Sequence, residues 1–165
     1  MEALHKACCF SGHRIEKLTC SIEILETALR EAINQAIADG FDIFYHGGCT
    51  GVDLIAAEQV LFRRFVVKQD DPKHIKLIGV LPFEEQAKYW NKHWRERYYN
   101  VLGKCDDVIT LYTRYEPGCY QERNRYMVDM CQRLIAVYDG VSNGGAKNTI
   151  SYAQEQGIDV QIVPL

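Results

Sequence analysis

Three glycine-bearing stretches have residue types and spacing suited to chemistry: Ser11-Gly12-His13-Arg14, Gly47-Gly48-Cys49-Thr50-Gly51 and Gly144-Gly145-Ala146-Lys147. Each directly follows a short apolar run that reads as a β-strand. At the carboxyl ends of parallel strands, loops open the next helices; free backbone N–H groups there meet phosphate, and glycine lets a ligand approach closely. Taken together the three loops predict one site for a nucleotide-like anion.

The loops differ in charge. After Gly145 the first helical turn carries Lys147, Asn148 and Thr149 and no acidic residue, so the positive helix end, a cation and a hydroxyl converge on phosphate. Thr50-Gly51-Val52-Asp53 instead fits a capping box, with the Asp53 carboxylate occupying the helix start and also placed to accept a ribose hydroxyl. A phosphate at that loop would meet repulsion. Arg14 follows Ser11 and Gly12 into the same cleft, where a guanidinium grips phosphate by two parallel hydrogen bonds; the alternative is a surface ion pair with Glu16. Cys49, at a helix start, is either a small filler or a thiol favoured as thiolate. His13, His46 and Cys49 lack zinc-like spacing, so no metal is expected.

These loops need a scaffold, and the chain supplies an alternating one. Strands are predicted at Ala7–Phe10, Phe41–Tyr45, Ile75–Leu81, Val108–Tyr112, Leu134–Tyr138 and Val160–Val163. Between them, Ile22, Leu25, Leu29, Ala32, Ile33 and Ala36 fall at helical spacing before Gly40, and Leu54, Ala57, Leu61 and Phe65 line one side of a helix over Leu54–Val66. Further helices are expected over about 84–102, 121–131 and 147–156. Alternation of this kind predicts right-handed crossovers and a single α/β domain over residues 1–165: a Rossmann-like three-layer sandwich with a mostly parallel sheet.

Composition narrows the function classes. The 165 residues are 47% apolar, enough for one substantial core, with no linker or low-complexity stretch and no apolar run long enough to cross a membrane. Met1-Glu2-Ala3-Leu4-His5-Lys6 leads into a strand and not into an export segment, and seven irregularly spaced cysteines argue against a disulfide framework, so a reducing cytoplasm is expected. The net charge of −3 gives no general attraction to nucleic acid. Trp90, Trp94 and Tyr98 stand at i, i+4 and i+8 among basic residues, the pattern of a core stripe, of a homodimer interface, or of a stacking surface for a base or single-stranded nucleic acid.

Four blocks in order carry a family resemblance: Cys8-Cys9-Phe10-Ser11-Gly12-His13-Arg14, Gly47–Glu58, Arg123-Asn124-Arg125-Tyr126-Met127-Val128-Asp129, and Ala136-Val137-Tyr138-Asp139-Gly140 followed by Gly144-Gly145. Over nearly the whole chain they resemble the YpsA-like branch of the SLOG superfamily, which also holds DprA and the LOG phosphoribohydrolases. The resemblance implies a pocket for a nucleotide or nucleotide derivative, such as a nucleoside phosphate or ADP-ribose, with no obligatory cofactor. It places Arg123 and Asn124 at the ligand and leaves Arg125 solvated. Pro82-Phe83 followed by Gln86 and Trp90 resembles a family pattern near the pocket, making Gln86 and Trp90 ligand contacts.

Three functions compete. A LOG-type enzyme uses a glutamate after its glycine loop, where this chain has Tyr152, so hydrolysis of a nucleoside monophosphate would need Glu122 with Arg123, or Asp53 or Asp139, to take over acid–base work usually worth ~10²–10⁴ in rate. DprA-like binding of single-stranded DNA has the Arg-Asn-Arg block in its favour and the acidic net charge against it. Binding or sensing of a small nucleotide derivative ranks first.

Overall fold

Six short apolar segments form one sheet. The computed structural model describes residues 4–67 and 74–164. Strands β1 (Ala7–Gly12), β2 (Ile43–His46), β3 (Lys76–Phe83), β4 (Asp107–Tyr112), β5 (Arg133–Tyr138) and β6 (Asp159–Pro164) lie in the order β4-β3-β2-β1-β5-β6. Every pairing is parallel. Helices α1 (Ile22–Ala38), α2 (Val52–Val67), α3 (Lys92–Lys104), α4 (Cys119–Met130) and α5 (Gly145–Glu155) make the connections.

The pleat decides which layer each side chain joins. Cys8 and Phe10 of β1 enter a core with Leu25, Leu29, Leu54, Ile55 and Tyr98 from α1, α2 and α3. Ala7 and Cys9 point the other way, into a core with Met127, Val128 and Ile150 from α4 and α5. The result is a three-layer sandwich. From β1 the chain steps outward to β4, and α4 then crosses the opposite face to set β5 on the other side of β1. Loops after β1 and β5 therefore diverge, and a crevice opens between them, where open α/β sheets bind ligands.

Element ends differ from expectation where local bonding intervenes. The helix expected over 84–102 begins only at Lys92, because Asn91 takes an extended backbone and its side chain accepts from the Trp94 amide at 3.0 Å. Residues 84–90 are turns, with Lys88 and Trp90 amides donating to Glu85 and Ala87 carbonyls. Trp90 thus lies outside the helix, its ring edge-on to Tyr98 at 5.2 Å, whereas Trp94 and Tyr98 are core residues. Strand β1 continues through Ser11 and Gly12, which pair with Ala136 and Val137. Strand β3 passes through Pro82 to Phe83. Met1, Glu2 and Ala3, part of the predicted leader-free start, lie outside the described residues. Among those described, no helix is long and apolar enough to cross a membrane.

Candidate functional site

The crevice at the β1–β5 divergence is a cleft of about 310 Å³. Ser11, Gly12, His13, Arg14 and Lys17 from the end of β1 form one wall, and Ser142, Asn143, Gly145, Ala146 and Lys147 form the facing wall. Its floor and far side hold Cys49, Asp53, Tyr120, Arg123 and Asn124. Two of the three glycine loops predicted to share a site, those after β1 and β5, supply the opposed walls.

The α5 wall is the one built for an anion. The first turn of α5 contains no acidic side chain, and methyl groups built on Gly144 or Gly145 would meet nothing within 4 Å. The space beside this helix start is open, and its first amides have no acceptor within the helix. The Lys147 ammonium is held beside them, donating to Asn143 Oδ1 at 3.0 Å. The approach to α5 is fixed by Asp139, whose carboxylate accepts from the amides of Val141 (3.0 Å) and Ser142 (2.8 Å) and from the Ser142 hydroxyl. Those three donors, the hydroxyl foremost, hold Asp139 down to about 2.

The Gly47–Gly51 loop serves differently. Gly51 takes φ +86°, and a methyl group there would come within 2.7 Å of the His13 carbonyl oxygen and the Ile15 nitrogen. At Gly47 a methyl group would strike the Arg123 guanidinium. Protein, not ligand, occupies the space these glycines leave. Arg123, only 3% exposed, donates to the Gly47 carbonyl, to Cys49 Sγ at 3.4 Å and to Asn124 Oδ1 at 2.8 Å. Three of its five N–H donors are committed, leaving two for the cleft. Asp53, buried beside it, accepts from the Cys49 amide at 3.3 Å. Burial pushes its carboxyl up, against the pull of Arg123 and the Cys49 amide. Asp53 occupies the helix start as expected, but through Cys49 in place of the reciprocal Thr50 bond of a capping box.

Several predicted contacts fall elsewhere. Gly47, Gly48, Gly51 and Gly144 are not on the cleft lining. Gln86 is buried behind the loop, donating to the Gly47 carbonyl at 3.2 Å and to the Tyr98 hydroxyl at 3.5 Å. Trp90 lines a neighbouring 250 Å³ recess with Tyr89, Trp94 and Thr50, which meets the cleft at Arg14. The Thr149 hydroxyl turns back to the Gly145 carbonyl at 2.7 Å and faces the α4–α5 groove. In that groove Tyr152 donates to Asp129 at 2.7 Å, and Arg125 lies over its ring at 5.5 Å. Glu122 is bonded to the Tyr112 hydroxyl at 2.7 Å and does not line the cleft. Arg14 makes no ion pair with Glu16 among the described residues; its guanidinium lies 4.9 Å from the Tyr120 ring centre.

A family model described as the YspA SLOG family matches residues 8–163. The chain belongs to the YpsA family of SLOG proteins. Among its relatives, an uncharacterized SPbeta prophage-derived protein YoqJ of Bacillus subtilis (strain 168) is 31% identical over 131 residues, covering 72% of this chain and 73% of YoqJ. A UPF0398 protein of Bacillus thuringiensis (strain Al Hakam) is 31% identical over 138 residues, 82% of this chain and 72% of the relative. The match takes in all three loops, Arg123 and α5.

Within this YpsA-family cleft, the lining residues left unassigned in the sequence are Phe10, Gln121, Lys17, Tyr120, Ser142 and Asn143. Asp139-Gly140-Val141-Ser142, an aspartate two and three positions before its amide donors, is the legible signal for the last two. Tyr120 had none. It sits one residue into α4, and only the folded crossover sets its ring against Arg14 and, at 5.7 Å, Arg123.

Proposed function

We propose that this protein binds, and serves as a sensor of, a nucleotide or nucleotide derivative of the nucleoside phosphate or ADP-ribose type. The observation that carries the proposal is the α5 wall: a helix start with open space beside its glycines and Lys147 next to it, opposite Arg14 and His13 across one cleft. Phosphate meets the amides and Lys147; Arg14, stacked on Tyr120, closes over it from the β1 side; Asp53 accepts a ribose hydroxyl from the floor. Calorimetry with ADP-ribose, adenosine monophosphate and adenosine tests this reading. The phosphorylated ligands should bind more tightly, and Lys147→Ala should erase ~1–3 kcal/mol of the difference. Equal binding of adenosine and its monophosphate would remove the phosphate site.

One observation favours a second reading, N-glycosidic hydrolysis. Asp53 is a buried carboxyl on the cleft lining with its acidity weakened by burial, the state suited to a general acid or base. Single-stranded DNA has less support, since the net charge is −3 and three of the five Arg123 donors are held by the Gly47–Cys49 loop and Asn124.

A further inference from the structure

His13 is the cleft residue whose internal partnership is incomplete. Its Nε2 is shut off from solvent and has no hydrogen-bond partner among the described residues. The Asp139 carboxylate stands 3.8 Å from it, close enough to attract a proton and too far for a hydrogen bond. That carboxylate cannot swing closer without cost, because two amides and the Ser142 hydroxyl already hold it. It also stays ionised throughout the range in which an imidazole changes charge. The ring itself is buried and lines the cleft, with Tyr138 packed 6.2 Å away.

We propose that His13 contacts the bound anion as an imidazolium, so that ligand binding draws a proton into the cleft. This rests on the nucleotide reading above. On the β1 wall Arg14 and Lys17 oppose a further positive charge, as do Arg123 on α4 and Lys147 on α5. Asp139, and Asp53 at the start of α2, favour it. The cleft's own side chains therefore set cations against carboxylates around the ring. A bound phosphate tips that balance, because it neutralises the surrounding cations and adds an acceptor. Protonated His13 then carries a charge that Asp139 attracts and a second N–H donor that the ligand can use. Tyr120 and Cys49 are the remaining ionisable groups on the lining. By linkage, affinity is greatest below the bound-state titration of His13 and falls as pH rises through it.

The test is calorimetry of ADP-ribose, whose diphosphate does not change charge near neutrality, from about pH 5.5 to about pH 8.5. Affinity should fall by roughly three- to tenfold across that range, with proton uptake read from the dependence of the heat on buffer ionisation. His13→Gln keeps a neutral donor and should bind at one level throughout, near the alkaline value of the unaltered protein, while Cys49→Ser should keep the slope. If His13→Gln does not fold, the His13 ring proton resonance of the unaltered protein serves: it must stay in its protonated position to higher pH when ADP-ribose is bound. A slope shared by His13→Gln, absence of proton uptake, or an unmoved His13 titration overturns the proposal. Absence of ADP-ribose binding at every pH overturns the nucleotide reading itself.

Discussion

Arg123 on α4 donates to the carbonyl oxygen of Gly47, 76 positions earlier in the chain, from a site only 3% exposed. The bond ties the crossover helix to the end of β2 through a buried positive charge, with Cys49 and Asp53 as its neighbours. Arg123→Ala would leave the Gly47 carbonyl unpaired and the buried Asp53 carboxyl without its countercharge. The expected loss is about 3 kcal/mol or more in a denaturant titration. Arg123→Lys keeps charge without the fork and should lose about half as much. A variant within about 0.5 kcal/mol of the unaltered protein would show that the clamp does not hold the loop.

The glycines separate into those that the protein fills and those it leaves open. Gly51→Ala places a methyl group against backbone at 2.7 Å on a residue with φ +86°, so destabilisation of at least about 2 kcal/mol is expected. Gly145→Ala meets nothing within 4 Å, and its melting temperature should stay close to that of the unaltered protein while affinity for a phosphorylated ligand drops. Two melting curves and one titration decide the matter. Equal destabilisation of both variants would contradict the division.

Much of this was legible in the chain because it depends on local pattern. Alternating apolar runs and helical spacing predicted six strands and a mostly parallel sheet with helices on both faces, since such runs bury in a layered arrangement. The cleft walls were legible for a similar reason: Ser11–Arg14 and Gly145–Lys147 each follow a predicted strand, and in the structure those strands pair side by side. What could not be read was the use of each glycine. Gly47 and Gly145 look alike in sequence, and only the arrival of Arg123 from α4 shows that one is filled and the other free. Gln86 likewise ends up behind the loop because the Asn91 cap starts α3 late and leaves 84–90 as turns packed beneath it.

His46 gives the protein an acid limit. The ring is fully buried at the end of β2, its Nε2 3.3 Å from Cys105 Sγ and its Nδ1 without a partner. Burial, assisted by Arg123, lowers its titration from 6.5 to about 3. The folded protein therefore holds His46 neutral while the unfolded chain protonates it below 6.5. Stability from this group is complete above that value and is lost as pH falls toward 3, at up to about 1.4 kcal/mol per pH unit. Urea midpoints for the unaltered protein should drop between neutral and mildly acidic pH, and the drop should be smaller in His46→Gln. An identical acid slope in both would assign the effect to other groups.

The structure changes what restoring the hydrolase carboxylate should do. In a LOG-type enzyme a glutamate occupies the position of Tyr152, but here that side chain sits in the α4–α5 groove, bonded to Asp129 and outside the β1–β5 cleft. Glu122, the other candidate, faces Tyr112. Tyr152→Glu should therefore release no adenine from adenosine monophosphate or ADP-ribose above background, even when binding is saturated. The carboxyl that could act lies at Asp53, on the cleft lining and already weakened as an acid by its burial. For a sensor, the unaltered protein and Asp53→Asn should both be silent in a base-release assay, while Asp53→Asn weakens ligands that carry ribose. Ready release of adenine by the unaltered protein, cut ~10²-fold or more by Asp53→Asn with little change in ligand affinity, would make this cleft an enzyme's and overturn the sensor reading.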